Sequence, residues 1–148
     1  MNQDFQDFLA ALIEAGARFL VVGAHALAVH GVPRATVDLD VWIDRSPANA
    51  DRVWQAMETF GAPLDALRIS REDLERPQMV IQIGVAPRRI DVLTDVTGVA
   101  FEAAWVDRVE HAIGSAKIPF MGRRTFVMNK RAAGRTKDLA DLEELGEA

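Results

Sequence analysis

An alternating segment that contains two aspartates constrains this chain more than any other stretch. Residues 37–44 read Val-Asp-Leu-Asp-Val-Trp-Ile-Asp, with an apolar residue at every second position. This period of two predicts a half-buried β-strand, from which Asp38 and Asp40 leave on the same face, with Cα atoms about 6.5–7 Å apart. Adjacent carboxylates repel each other unless a cation or a proton lies between them, and Mg²⁺ prefers oxygen ligands. The strand therefore predicts a metal site; two solvent-facing aspartates on an edge strand are the alternative.

The remaining pattern predicts an α/β fold, with a small, mixed, twisted sheet and helices packed mainly on one of its faces. Predicted helices cover residues 5–13, 24–30, 47–60, 101–106 and 129–145, the last one broken or kinked at Gly134. Predicted strands cover residues 18–22, 37–44, 79–85, 89–93, 109–113 and 117–120, and residues 126–128 are interpreted as a brief apolar step. Asp91 lies in the strand 89–93, where an ion pair with Arg88 or Arg89 at the surface is the alternative to a site role.

Length and composition indicate a single globular domain over residues 1–148. The chain has no cysteine, which excludes disulfides and thiolate metal sites. Its longest apolar run, residues 19–29, is too short to span a bilayer, and the first residues carry neither a basic flank nor an apolar signal core. We therefore expect a cytoplasmic protein with no membrane partner.

The charge of −5 is unevenly distributed along the chain. Residues 112–137 contain no acidic residue but seven basic ones, namely Lys117, Arg123, Arg124, Lys130, Arg131, Arg135 and Lys137. Such a stretch attracts phosphates, although solvated surface bases would give the same pattern. Lys137 and Asp141 have the spacing of an ion pair on a solvated helix face.

These features have complementary roles if the substrate is a nucleoside triphosphate. The Gly23-Ala24 turn offers backbone amides at a helix start to phosphate oxygens. Asp38 and Asp40 would hold Mg²⁺, and Asp91 could complete a two-metal site and orient or deprotonate an attacking hydroxyl. Basic side chains, with Lys130 and Arg34 as candidates, would neutralise the phosphates and the leaving pyrophosphate; Arg34 fits a surface arginine equally well.

The order of these motifs resembles the nucleotidyltransferase superfamily to which DNA polymerase beta belongs. That family has a Gly-Gly or Gly-Ser turn, a helix, Asp-x-Asp or Asp-x-Glu on the next strand, and a later carboxylate, which Gly23-Ala24, Asp38-x-Asp40 and Asp91 match. The C-terminal segment is similar to the abortive-infection toxin nucleotidyltransferases, which carry a lysine and an arginine five apart, here Lys130 and Arg135, followed by an aspartate on a helix.

The resemblance implies a minimal nucleotidyltransferase core with a short C-terminal helical extension. It implies transfer of a nucleoside monophosphate from an NTP to a hydroxyl, with Mg²⁺ or Mn²⁺ on Asp38, Asp40 and Asp91. Gly23, Ala24, Arg34, Lys130 and Arg135 would bind the nucleotide. RNA, in particular a tRNA end, is the favoured acceptor, and a small hydroxylated molecule such as an antibiotic, or a protein hydroxyl, is the alternative. A toxin would also need an antitoxin as protein partner.

Two departures from the family pattern leave other functions open. Ala24 stands where a serine or a second glycine is usual, so that a side-chain contact to phosphate is lost. Lys130 and Arg135 lie about 140° apart on a straight helix and would converge only if Gly134 breaks it. A catalytically inactive binding module of the same fold is one alternative, and a metal-dependent phosphodiester hydrolase is another.

Overall fold

The computed structural model describes residues 1–35 and 37–147, which form seven α-helices, one 3₁₀ helix and six strands. In chain order these are α1 (Gln3–Glu14), β1 (Phe19–Val22), α2 (Gly23–Val29), β2 (Leu39–Ile43), α3 (Pro47–Phe60), α4 (Leu64–Leu67), the 3₁₀ helix (Arg71–Glu75), β3 (Val80–Ile83), β4 (Ile90–Leu93), α5 (Phe101–Asp107), β5 (Val109–Ile113), β6 (Ala116–Phe120), α6 (Arg123–Ala133) and α7 (Thr136–Leu145). None of these helices has the length and apolar character needed to cross a membrane.

All six strands join one mixed sheet in the order β3-β4-β2-β1-β6-β5. The two predicted hairpins, β3–β4 and β5–β6, are antiparallel, as is β1 against β2. The β2–β4 and β1–β6 pairs are parallel, with helices in the connections between them. The predicted α/β class with a small mixed sheet is confirmed.

The period of two divides the sheet between two apolar clusters. Leu39, Val41 and Ile43 of β2 point into the larger cluster, which α1 and α3 cover. Trp42 points to the other face, into a smaller cluster that α5, α6 and α7 help to cover. The larger helical layer therefore lies on one face, and the C-terminal helices build most of the second layer.

Several boundaries differ from those predicted, and two of these differences affect the candidate site. β2 begins at Leu39 and β4 at Ile90, so that Asp38 and Arg89 precede their strands instead of belonging to them. Leu39 is nevertheless held against the next segment, since its backbone N–H donates to the carbonyl of Arg89 at 3.0 Å.

The C-terminal region contains two helices where one was predicted to begin at Asn129. The apolar step assigned to residues 126–128 is wrong, because those residues lie inside α6. Phe126 and Lys130 are one turn apart on the buried side of that helix. Gly134, with φ of 63°, ends α6, so the predicted break at this glycine is confirmed.

A buried ion-pair network joins α6 to α7. Asp138 is fully buried and accepts hydrogen bonds from Lys130 Nζ at 3.2 Å and from Arg135 Nε at 2.7 Å. Burial alone would raise the pKa of Asp138, but the hydrogen bonds from Arg135 and Lys130 outweigh it and hold that pKa below its ordinary value. The two helices are thus joined by charge as well as by apolar contacts.

We expect Asp138→Asn to lower the free energy of unfolding by about 3 kcal/mol at pH 7, because it removes the fully buried one of the two carboxylates that pair with Lys130. Urea denaturation followed by circular dichroism measures this loss. Glu143→Gln removes one exposed acid from the same helix and is the matched control. Equal losses in the two variants would contradict a stabilising role for the network.

Candidate functional site

The parallel register of β2 and β4 places Asp40 directly opposite Asp91. Asp91 is buried, with 7% of its surface exposed, and Asp40 is partly buried. Burial, together with the charge of Asp91 and a smaller effect of Asp38, raises the pKa of Asp40 to about 6. The three aspartates therefore lie near one another, and their proximity creates a local excess of negative charge.

Arg89 partly compensates this excess. Its Nε lies 2.7 Å and its Nη2 3.1 Å from the two carboxylate oxygens of Asp91, and Nη2 is 3.5 Å from Oδ2 of Asp38. The backbone N–H of Arg89 also donates to Oδ1 of Asp38 at 2.9 Å. Asp91 thus pairs with Arg89, one of the two partners considered from the sequence, but in a buried position and not at the surface.

Gly23 begins α2 and lies against the carboxylate of Asp40. Its φ of 65° is in the left-handed region, and a Cβ atom at this position would lie 2.2 Å from Oδ2 of Asp40. Only glycine allows the β1–α2 turn and the Asp40 side chain to approach this closely. The turn glycine predicted from the sequence therefore also determines where a site carboxylate lies.

A cleft of about 600 Å³ opens beside Asp40, between the β1–α2 turn, the end of β4 and the α6–α7 pair. Six of the eight predicted site residues line it, namely Gly23, Ala24, Arg34, Asp40, Lys130 and Arg135. Asp38 and Asp91 are neighbours of Asp40 but do not line the cleft themselves. Another cavity, of about 620 Å³, lies beside α1 and α3, and no predicted site residue lines it.

The three predicted basic residues line the cleft with their charges already paired. Lys130 Nζ lies 3.2 Å from carboxylate oxygens of both Asp138 and Asp141. Arg34 Nη2 is 2.7 Å from Oδ1 of Asp141, and Arg135 binds Asp138. Lys130 and Arg135 thus converge across the break at Gly134, and the ligand they share within the chain is Asp138.

Lys137 is a cleft residue that the sequence interpretation missed. Its side chain is exposed, lines the cleft and faces Asp40, whose pKa its charge lowers slightly against the larger opposing effects. The ion pair predicted between Lys137 and Asp141 is not formed, because Asp141 binds Lys130 and Arg34 instead. Within the described residues, Lys137 has no carboxylate oxygen within 4 Å, so its charge is available to an anionic ligand.

The donor chemistry of the aspartate cluster suits a hard divalent cation. Asp38, Asp40 and Asp91 offer only carboxylate oxygens, and the pKa of Asp40 is raised first by burial and then by the charge of Asp91. Over residues 1–35 and 37–147, no three His, Asp or Glu side chains are already arranged around a common ion position. In this arrangement Arg89 binds two of the three site carboxylates.

Comparison with known proteins identifies the fold. No protein-family model matches the chain, and no curated protein matches it. The structure is similar to the crystal structure of a presumed nucleotidyltransferase from Thermotoga maritima, with a TM-score of 0.61 and 15% sequence identity. The match covers 97% of this chain and 91% of that one. The chain therefore has the fold of that protein over nearly its whole length, which confirms the predicted nucleotidyltransferase-like fold.

We expect Gly23→Ala to destabilise the chain by about 2 kcal/mol and to displace the Asp40 carboxylate, because the new Cβ would overlap Oδ2 at a strained φ. Gly16→Ala is the matched control, since Gly16 has a φ of 70° but no neighbouring atom within 4 Å of the position that a Cβ would take. Urea denaturation of both variants separates backbone strain from the contact. A loss in Gly23→Ala no larger than in Gly16→Ala would show that Asp40 does not depend on this glycine.

Asp40→Asn should raise the free energy of unfolding at pH 8 by about 1–2 kcal/mol, after allowance for solvent screening. The folded chain holds a proton on Asp40 up to a pKa of about 6, whereas the unfolded chain releases it near 3.8. The native protein therefore loses stability as the pH rises between these values, and the asparagine variant lacks this loss. Urea denaturation at pH 4 and pH 8 measures the stability of each protein, and Asp65→Asn, which changes an exposed acid, is the control. If Asp40→Asn differs from the native protein by the same free energy at both pH values, the pKa of Asp40 is not perturbed.

Proposed function

We propose that the chain is a metal-dependent nucleotidyltransferase that moves a nucleoside monophosphate from an NTP to a hydroxyl acceptor. The observation that carries this proposal is the opposed Asp40–Asp91 pair beside a cleft lined by Lys137, whose charge is unpaired among the described residues, and by three further basic side chains. A cluster of carboxylates suits a divalent ion, and basic walls suit the phosphates of the same substrate. The fold shared with a presumed nucleotidyltransferase supports this assignment.

In the proposed reaction, the acceptor oxygen attacks the α-phosphorus in line, and the bond from that phosphorus to pyrophosphate breaks. Mg²⁺ or Mn²⁺ held by the three aspartates would offset the charge on the phosphate oxygens. Lys137 binds the β- and γ-phosphates at the mouth of the cleft and stabilises the leaving pyrophosphate. Asp91 receives the hydroxyl proton, so that the products are the nucleotidylated acceptor and pyrophosphate.

For the acceptor we propose an RNA end. Arg124 and Arg131 are exposed on α6 and line a second cavity outside the cleft, so an RNA backbone that runs from the cleft along this helix would meet basic side chains. Incubation with an α-phosphate-labelled NTP and total tRNA, or with a small aminoglycoside, distinguishes RNA from a small hydroxylated acceptor. The toxin role and its antitoxin partner rest on the C-terminal resemblance alone and stay predictions.

A nucleotide-binding module without turnover is the second candidate, and Arg89 is the observation that favours it. Its guanidinium already pairs with two of the three carboxylates. Such a module would bind an NTP through the basic walls without needing a divalent ion. Dependence of binding on the metal therefore separates the two functions.

The test is thermal melting with Mg²⁺ and each of the four NTPs, for the native chain and for Asp40→Asn. Saturation at about 100 times Kd adds about 2.7 kcal/mol of stability, which raises the melting temperature of a chain of this size by several degrees. We expect a rise with at least one NTP that needs Mg²⁺ and that Asp40→Asn abolishes. Asp65→Asn, which changes an exposed acid outside the cleft, should keep the full rise.

A rise that persists without Mg²⁺ and in Asp40→Asn would favour the binding module. The absence of a rise with every NTP would contradict both functions.

A further inference from the structure

Arg89 is the one cation that contacts two of the three site aspartates within the described part of the chain. It binds both oxygens of Asp91, and its backbone N–H and Nη2 approach the two oxygens of Asp38. The side chains of Asp91 and Asp38 are 10% and 21% exposed, so these contacts are largely shielded from water. A metal ion would need some of the same oxygens.

A guanidinium cannot leave this cluster by losing its proton, because arginine stays charged at any pH the folded chain tolerates. A free divalent ion therefore has to displace a cation that already makes a bidentate contact with Asp91. Each carboxylate oxygen that the ion takes is then lost to the guanidinium. Free metal binding is consequently penalised by the loss of the Arg89 contacts.

A metal that arrives bound to a nucleotide does not carry this penalty. The phosphates of the nucleotide are negatively charged and match the planar fork of a guanidinium. They can therefore form an ion pair with Arg89 when its contacts with the carboxylates are lost. The side chain has room to turn, since it is 30% exposed and follows a surface turn in which residues 84–88 are all exposed. Asp40, which Arg89 influences electrostatically, borders the cleft where the phosphates would lie.

We propose that Arg89 makes the aspartate cluster selective for a metal–nucleotide complex over the free metal ion, by pairing with Asp38 and Asp91 until a phosphate replaces them. This inference rests on the proposed function and adds a residue that determines which form of the metal the site accepts. Arg89 acts through the carboxylates and the phosphates, not on the reacting atoms.

Mn²⁺ binding measured by electron paramagnetic resonance tests the proposal without any turnover. The native protein should bind free Mn²⁺ weakly, and Arg89→Met should bind it about tenfold more tightly, because the competing cation is gone. Arg88→Met is the matched control, since Arg88 is exposed and has no carboxylate within 4 Å among the described residues. Arg89→Lys keeps the charge without the bidentate contact and should give an intermediate affinity, which keeps the test usable if Arg89→Met does not fold.

The same titration is repeated with the α,β-methylene analogues of the four NTPs. The native protein should bind Mn²⁺ with one analogue at least about tenfold more tightly than Mn²⁺ alone, and Arg89→Met should lose most of this preference. Equal affinity of the native chain and Arg89→Met for free Mn²⁺ would overturn the inference, as would a native chain that binds free Mn²⁺ and the complex equally well.

If the native chain binds no complex while Arg89→Met gains free Mn²⁺, the proposed function and the selectivity both fail. Arg89 would then be established only as the group that excludes metal. If only the selectivity fails, the native chain still binds the complex, but its affinity for free Mn²⁺ equals that of Arg89→Met, so the two failures are distinguishable.

Discussion

The parallel pairing of β2 with β4 determines both the core and the candidate site. Leu39 and Val41 face the larger apolar cluster, so the residue between them has to face the other way, opposite Asp91. A shift of the register by one residue would turn Asp40 into that cluster, and an unpaired buried carboxylate is strongly unfavourable. The apolar residues that stabilise the sheet thus also fix the relative position of two like charges, and no loop has to be ordered for these charges to meet.

Different parts of the molecule compensate charge in different ways. Beside the cleft, Arg89 offsets two of three carboxylates, and the third keeps a raised pKa. In the wall formed by α6 and α7, the buried Lys130 and Asp138 pair with each other, and Lys137 is left with an unpaired charge among the described residues. The α6–α7 pair therefore stabilises the fold, whereas the aspartate cluster keeps an excess of negative charge that a cationic ligand can neutralise.

Much of this arrangement follows from local sequence patterns, and the rest depends on distant partners. The apolar alternation around Asp40 and the patterns of the two hairpins predicted strands that are present in the sheet. Most of the predicted site residues line one cleft. The contact between Asp38 and Arg89 joins residues 51 positions apart, and that between Arg34 and Asp141 joins residues 107 apart. Spacing on one helix predicted a local partner for Asp141, but two cations brought in by the fold pair with it instead. Metal binding and the catalytic roles stay predictions.

The contact between Gly23 and Asp40 has a consequence for genetic variation. Every missense change at codon 23 adds a Cβ atom, since all other amino acids have one, and no replacement is conservative in the usual chemical sense. The same amino-acid replacements at Gly16 add a Cβ atom where no neighbouring atom lies within 4 Å. In a saturation library, Gly23 and Gly16, which have nearly the same φ, would thus differ strongly in how many substitutions they tolerate. A substitution matrix that scores glycine to alanine as mild would underestimate the effect at Gly23.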